Sequence, residues 1–101
     1  MQIDLLNSVE IFIESLTEKE VAKVIRTIEL LEEFGNTLGM PHSRHMADGL
    51  LELRVRGKRE IRIFYCFHKN KAVLLHACVK KTQKALEKEL SKTRAAKSSL
   101  Q

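Results

Sequence analysis

The chain has 101 residues, of which 44% are hydrophobic and 31% charged, and its formal net charge is +5. This size and composition are typical of a folded globular protein and exclude a disordered chain, so we expect residues 1–101 to form a single domain. No apolar run approaches the ~20 residues of a membrane span, and the first residues lack the basic flank and apolar stretch of a signal peptide. We therefore expect a cytoplasmic protein with no membrane partner.

Charge is distributed unevenly along the chain. Residues 1–50 hold four Lys or Arg and nine Asp or Glu, whereas residues 51–101 hold fourteen and four, so the halves carry −5 and +10. This asymmetry, with a pI near 9.4, indicates that the second half meets a polyanion. Charge alone is equally compatible with a basic surface that binds no ligand.

Residues 1–6 form at most a stub of an edge strand, and the residues after them predict two helices. Asn7 or Ser8 can cap the first helix. Thr17 and Glu20 have the spacing of a capping box, and Gly35 provides a helix stop. The second helix carries an apolar stripe at three- and four-residue spacing: Val21, Val24, Ile25, Ile28, Leu31 and Phe34. Together these helices predict an N-terminal helical hairpin whose stripe needs a packing partner.

A connector over residues 37–49 contains the only proline, Pro41. Within it, residues 43–46 are predicted to form one helical turn. Asp48 and Gly49 are predicted to form the turn that leads into the first strand of the following segment.

Residues 50–84 alternate apolar and polar side chains in three segments, which predicts three β-strands in two consecutive hairpins. We take the first loop as residues 57–59 and the second as residues 68–72. This registry predicts four facing pairs: Arg54 with Arg62, Glu52 with Phe64, Phe64 with His76, and Arg62 with Cys78.

Alternation gives the two sides of these strands different roles. The odd-numbered positions are almost wholly apolar and are predicted to pack on the helical hairpin, whereas the even-numbered positions gather cations around a partly apolar floor. Thr82 can cap a last helix over residues 83–97, whose few apolar positions predict a peripheral location. The predicted fold class is therefore α+β: an N-terminal helical hairpin on a small antiparallel sheet of three to four strands, with a C-terminal helix.

The chemistry that the chain offers is mainly cationic. Arg presents a planar fork of donors and Lys a point charge, and both suit phosphate groups. The candidate cations are Arg54, Arg62, Lys80, Lys81 and Lys84. His76 is the central residue suited to exchanging a proton near neutral pH, and Phe64 can offer an RNA base a stacking surface.

Other kinds of site find little support in the sequence. No paired carboxylates, glycine-rich phosphate loop or serine–histidine–aspartate spacing stands out. Cys66 and Cys78 lack the CxxC spacing and are predicted to be buried free thiols, and no second ligand pair accompanies His42 and His45. We therefore expect neither a metal site nor a cofactor.

Each candidate also has a purely structural interpretation. Arg54 and Arg62 can be solvated sheet residues, and Lys80 and Lys81 can form a charged strand end. For His76 the structural role, a packed strand histidine, is the more common one.

Four motifs follow one another in the chain: GLLELR from Gly49, RIFY from Arg62, VLLH from Val73 and KKTQK from Lys80. In this order they resemble the RelE/HigB-type toxins of bacterial toxin–antitoxin modules, most closely the phage-derived Gp49-like or HigB-like branch. The resemblance covers residues 8–97, including the acidic helical hairpin and the connector.

The resemblance implies a RelE-like fold and a ribosome-dependent endoribonuclease that cuts mRNA without a metal or other cofactor. In such enzymes the ribose 2′-hydroxyl attacks its own phosphodiester, leaving a cyclic phosphate and a 5′-hydroxyl. Two partners are implied: mRNA on the ribosome, and a cognate helix-turn-helix antitoxin that holds the toxin inactive.

Carried onto this chain, the resemblance assigns catalytic roles to four cations. Arg54 and Arg62 would bind and stabilise the scissile phosphate, and Lys80 and Lys81 would neutralise the transition state or orient RNA. RNA binding falls to the remaining candidates on and beside the sheet: Arg56, Phe64, His76, Gln83 and Lys84.

The chain departs from the family's pattern in three places. Residues 1–6 barely supply an N-terminal strand, Ala85 and Leu86 stand where a proline commonly follows the basic motif, and no Tyr or His follows His76. Two alternatives therefore stay open: an RNA- or ribosome-binding relative with weak or lost nuclease activity, and a structural partner of a DNA-binding antitoxin.

Overall fold

The structure is a computed structural model that describes residues 1–100, so the last residue of the expected 1–101 domain lies outside the described part. Residues 1–100 contain five strands and three α-helices. In chain order these are β1 (Gln2–Leu5), α1 (Asn7–Glu14), α2 (Glu18–Phe34), β2 (Ser43–His45), β3 (Leu51–Val55), β4 (Glu60–His68), β5 (Lys71–Lys80) and α3 (Gln83–Ser98). Within that described part, no helix combines the length and apolarity needed to cross a membrane.

The five strands form one mixed sheet in the order β1-β5-β4-β3-β2. β1 runs parallel to β5, pairing Gln2 with Lys71 at one end and Leu5 with Leu74 at the other, and the other neighbours are antiparallel. The predicted helical hairpin on an antiparallel sheet of three to four strands is therefore wrong. A strand precedes the helices, and a second strand, β2, forms within the connector.

The connector contains the edge strand β2, whose backbone pairs with β3. Ser43 pairs with Leu53 of β3, and the buried Ser43 hydroxyl is hydrogen-bonded to the hydroxyl of Tyr65. The predicted helical turn over residues 43–46 is therefore wrong, since a sheet partner satisfies this backbone instead. The predicted turn at Asp48 and Gly49 is confirmed, with φ of 60° and 74°.

The register of the central hairpins follows the sequence prediction. All four predicted facing pairs are observed, including Arg54 with Arg62 and Phe64 with His76. The second turn is tighter than predicted, with Lys69 and Asn70 at φ of 51° and 62°, as in a two-residue hairpin turn. An irregularity after Phe64, a β-bulge, places one extra residue in β5. This extra residue compensates for the shorter turn, so the pairs on the far side of the bulge are the predicted ones.

This irregularity also changes which side chains of β5 face the helices α1 and α2. Ala77 packs in the core under α1 and α2 as predicted, but beyond the bulge Leu74 and Ala72 take that face. Val73 and Leu75 turn instead to the opposite face. The prediction that the odd-numbered positions all face the helical hairpin is therefore wrong for these two residues.

The capping box at the start of α2 is confirmed. The Glu20 backbone N–H donates to the Thr17 hydroxyl at 3.2 Å, and the Thr17 backbone N–H donates to the Glu20 carboxylate at 3.0 Å. α2 ends at Gly35, whose φ of 55° is readily adopted by glycine. The core on this side of the sheet includes Val9 of α1 and Leu31 of α2, both fully buried.

Helix α3 covers the opposite face of the sheet. Leu86 and Leu90 of α3 are buried against Phe64 and Cys78. Thr82 caps the helix as predicted, accepting a hydrogen bond from the Ala85 backbone N–H at 3.0 Å. α3 is therefore a third layer over the sheet face on which the predicted cations lie, rather than a peripheral element.

Candidate functional site

The candidate catalytic strand residues lie on the sheet face that α3 covers, here called the α3 face. Facing pairs in a sheet point to the same side, so the register assigns this face without further assumption. It carries Glu52, Arg54, Glu60, Arg62, Phe64, His76, Cys78 and Lys80.

Two arginines share one buried carboxylate on this face. Oε1 of Glu52 lies 3.8 Å from Nε of Arg54 and 3.6 Å from Nε of Arg62. The exposed side-chain fractions are 4% for Glu52, 15% for Arg54 and 1% for Arg62. The two like charges, facing each other across the strands, are tolerated because the carboxylate lies beside both.

This cluster leaves buried donors without acceptors. Nε of Arg54, and Nε and Nη1 of Arg62, have no hydrogen-bond partner among the described residues. Buried donors normally have partners, and an unpaired one costs about 1–3 kcal/mol. Such donors can stabilise an oxyanion placed between them.

The basic end of the α3 face is more open than its centre. Lys80 lies opposite Glu60, whose carboxylate is 42% exposed and has Oε2 3.6 Å from Nη2 of Arg62. Lys81 is exposed just beyond the end of β5. Two further RNA-binding candidates at this end, Gln83 and Lys84, are also exposed, whereas Arg56 is exposed beside α2.

Phe64 does not offer a stacking surface in this structure. Its side chain is fully buried beneath Leu86 and Leu90 of α3. The sequence predicts an open face around Phe64, but α3 covers that face because its sparse apolar positions lie directly over the sheet. Contact between Phe64 and an RNA base requires α3 to move.

His76 is held by α3 rather than free for proton transfer. Its Nε2 is hydrogen-bonded to the Glu89 carboxylate, and Lys92 lies 3.6 Å from the other oxygen of that carboxylate. Burial acts to raise the pKa of Glu89, but the hydrogen bond from His76 and the nearby positive charges outweigh it, so this pKa is lowered. His76 therefore contributes to docking α3 on the sheet.

The two cysteines are confirmed as buried free thiols. Burial, together with the charges of Glu89 and Glu52, raises the pKa of Cys78 to about 11. Burial likewise raises the pKa of Cys66. Because the reactive form of cysteine is the thiolate, both residues are unreactive in this fold. Among residues 1–100, no three His, Cys, Asp or Glu side chains come together as they would around a metal ion.

A second cationic feature was missed by the sequence analysis. A groove of about 750 Å³ lies between the start of α2 and the β3–β4 loop. We call it the hairpin groove; its lining residues are 17–20, Lys23, residues 55–59 and Ile61. The signal in the sequence was the dense basic run around Lys58, but nothing in the sequence indicated that α2 would lie beside it.

The chain was compared with known proteins and protein families. No curated protein matches it significantly. The family model described as "Phage derived protein Gp49-like (DUF891)" matches residues 11–98, which is most of the chain. This match confirms the Gp49-like part of the predicted resemblance. The chain therefore belongs to the Gp49-like family of phage-derived proteins, a family associated with toxin–antitoxin systems.

Proposed function

We propose that this protein is a toxin of the RelE/HigB type that acts in the cytoplasm as a metal-independent, ribosome-dependent mRNA endoribonuclease. Its family is associated with toxin–antitoxin systems, which supports a toxin-related role and an antitoxin partner. The observation that carries the nuclease proposal is the pair Arg54 and Arg62, which face each other and hold three buried donors without acceptors.

The proposed reaction is an internal displacement at phosphorus. The ribose 2′-hydroxyl loses its proton, its oxygen bonds to the adjacent phosphorus, and the bond from phosphorus to the 5′-oxygen breaks. The leaving 5′-oxygen takes up a proton, so the products are a cyclic phosphate and a 5′-hydroxyl. Arg54 and Arg62 would donate to the non-bridging oxygens, where negative charge develops. Lys80 and Lys81 would neutralise the same charge.

The mRNA would approach from the open end of the α3 face. Gln83 and Lys84 are exposed there and would contact the ribose-phosphate backbone, which Arg56 would contact from its position beside α2. Arg62, Phe64 and His76 would reach the RNA only when α3 lifts from the sheet, so the proposed reaction requires this movement. We further propose that the antitoxin is a helix-turn-helix protein that holds the toxin inactive.

The burial of Arg62 favours a second candidate function. With 1% of its side chain exposed, Arg62 cannot reach a phosphate while α3 lies over the sheet. A protein that keeps this arrangement would bind RNA or the ribosome through Lys81 and Lys84 without cutting. Codon-positioned cleavage products separate the two candidates, because only the nuclease generates them.

Expression without an antitoxin tests the proposed toxicity. We expect the wild-type chain to arrest growth, and the double variant Arg54→Ala with Lys81→Ala to relieve the arrest while accumulating to the same soluble level. Lys88→Ala, which removes an exposed cation from α3, is the matched control and should remain toxic. Undiminished arrest by the double variant would place the toxic activity elsewhere on the molecule.

A further inference from the structure

A smaller cleft of about 330 Å³ lies between α2 and the connector that leads into the edge strand β2. We call it the edge cleft. It is lined by one face of α2 from Lys23 to Leu30, by Pro41 and His42, and by residues 54–56. It adjoins the hairpin groove at Lys23 but continues along α2, away from the β3–β4 loop. Its volume is at the lower end of the range for pockets that hold small molecules.

The positive charge of the edge cleft is not balanced within the cleft. The lining contains four cations, Lys23, Arg26, Arg54 and Arg56, and the lining residues that the structure describes include no Asp or Glu. Three of these cations, Lys23, Arg26 and Arg56, form no ion pair with any of residues 1–100. Converging cations without a carboxylate between them attract an anionic ligand.

Arg54, the fourth cation, has hydrogen-bond donors without strong acceptors. Its Nε is buried and has no partner within residues 1–100, and the carboxylate beside it, that of Glu52, is shared with Arg62. Its Nη1 lies 3.8 Å from the sulfur of Met40, the residue before Pro41 in the connector. Because a thioether is a weak acceptor, the connector side of this guanidinium is available to a ligand. The planar fork of an arginine matches the oxygens of a phosphate group.

The rest of the lining suits the organic part of a small phosphorylated molecule. Leu30 is half-buried and Pro41 is exposed, so both offer apolar contact beside the cations. The exposed ring of His42 carries an N–H donor in either protonation state. A phosphate monoester carries close to two negative charges above its second pKa of about 6, whereas each phosphodiester of RNA carries one. Four cations in a cleft of this size therefore favour the monoester.

We propose that the edge cleft binds a dianionic phosphate group, either free phosphate or the terminal phosphate of a small metabolite. The phosphate oxygens accept hydrogen bonds from Arg26, Arg54 and Arg56, and the carbon skeleton of a metabolite rests on Leu30 and Pro41. This binding does not depend on nuclease activity. If the proposed function also holds, the bound phosphate occupies Arg54 and competes with RNA for it.

Isothermal titration calorimetry at pH 7.5 tests the proposal. The probes are inorganic phosphate, adenosine 5′-monophosphate as the monoester, and the dinucleotide ApA without a terminal phosphate as the diester. We expect the monoester to bind at least about tenfold more tightly than the diester, because it carries more negative charge. Tighter binding of the monoester than of inorganic phosphate identifies a phosphorylated metabolite as the ligand. Equal or tighter binding of inorganic phosphate identifies free phosphate.

Matched variants carry the same change in charge at different places. Arg26→Glu should weaken binding of the monoester at least about tenfold, because a like charge now faces the phosphate. Arg94→Glu, on the exposed side of α3, should leave this binding unchanged. Arg54→Lys keeps the positive charge but removes the planar fork of donors, so it should weaken binding several-fold. If circular dichroism shows that Arg26→Glu is unfolded, Arg26→Gln replaces it.

Four results would overturn the proposal. The first is that neither inorganic phosphate nor the monoester binds, and the second is that the diester binds as tightly as the monoester, which assigns the cleft to the RNA backbone. The third is that Arg26→Glu and Arg94→Glu weaken binding equally, which indicates non-specific attraction, and the fourth is that Arg54→Lys leaves binding unchanged. None of these measurements involves RNA cleavage, so failure of the proposed function would not alter them.

Discussion

The Glu52 carboxylate lies 3.6 Å from Nε of Arg62, and both side chains are almost completely buried on the α3 face. The same oxygen lies 3.8 Å from Nε of Arg54, so a single buried negative charge lies beside two guanidinium groups and offsets only one of the two positive charges. Glu60 is the other carboxylate near Arg62, at 3.6 Å, but it is 42% exposed and more weakly coupled. This arrangement makes Glu52 the residue on which the arginine pair depends.

We expect Glu52→Ala to lower the free energy of unfolding by about 3–5 kcal/mol, because it leaves Arg54 without an ion-pair partner and the buried Arg62 with only the partly solvated Glu60. Glu60→Ala is the matched control and should cost less than about 1 kcal/mol, since that carboxylate is partly solvated. Urea denaturation of the three proteins measures both values. Equal effects of the two substitutions would show that Glu52 does not hold the pair.

The thiol of Cys78 reports whether α3 lifts from the sheet. It is buried beneath Leu90 and its pKa is raised to about 11, so in a Cys66→Ala background a thiol reagent should react slowly at pH 8. Leu90→Ala weakens the packing of α3 and should speed the reaction at least about tenfold.

Leu31→Ala provides the control for this measurement, because Leu31 lies in the core on the other side of the sheet. It should destabilise the whole protein without opening α3 selectively. The two variants are compared under conditions in which their free energies of unfolding are equal. If Leu31→Ala and Leu90→Ala then accelerate the labelling of Cys78 equally, the thiol is exposed by global unfolding and α3 does not open separately from the rest of the fold.

The ion pair between Glu20 and Arg59 predicts a specific pH dependence. The hydrogen bond from Arg59, followed by that from the Thr17 backbone, lowers the pKa of Glu20 from 4.5 to about 2. A carboxyl with a lowered pKa in the folded state stabilises the fold above its unfolded value, and this contribution is lost as the pH falls through the folded value. The Tm of Glu20→Gln should therefore be lower than that of wild type at pH 6, and the difference should shrink toward pH 2.

Glu33→Gln is the reference for this comparison, because Glu33 is exposed on α2. The difference in Tm between Glu33→Gln and wild type should stay the same from pH 6 to pH 2. A constant difference between Glu20→Gln and wild type from pH 6 to pH 2 would contradict the assignment of the titration to Glu20.

The hydrogen bond between Ser43 and Tyr65 fixes β2 to the sheet. Tyr65→Phe leaves the buried Ser43 hydroxyl without this partner and should cost about 1–3 kcal/mol. Adding Ser43→Ala removes the unpaired group, so the double variant should be less destabilised than the sum of the single variants. A double-mutant cycle by urea denaturation measures this coupling, and additive effects would indicate that the bond contributes little.

The central hairpins could be predicted from the sequence because their signals are local. The loop at Gly57 and the alternation on either side of it determine that Arg54 faces Arg62, and the structure agrees. The capping box at Thr17 and Glu20 is another local signal, since its partners lie within one helical turn. The predicted pair of Phe64 and His76 is also observed, although there a tighter turn and a bulge compensate each other.

The remaining features depend on contacts between distant parts of the chain. β1 is four residues long, and nothing in its own pattern indicates that it pairs with β5. The residues around Leu74 are all apolar, so the odd-numbered and the even-numbered positions are equally suited to the core. The sequence therefore does not indicate the bulge. The few apolar positions of α3, such as Leu90, did not show that this helix covers Phe64, and that contact decides which of the predicted site residues are accessible.

Mapping of new 5′ ends on translated messages tests the central claim most directly. Primer extension after expression of the wild-type chain should reveal cleavage at defined codon positions, with 5′-hydroxyl ends. Arg54→Ala with Lys81→Ala should reduce these products by roughly 100-fold, since charge stabilisation in the transition state is lost, and Lys88→Ala should not. Growth arrest without new 5′ ends, or undiminished cleavage by the double variant, would contradict the assignment of nuclease activity to the α3 face.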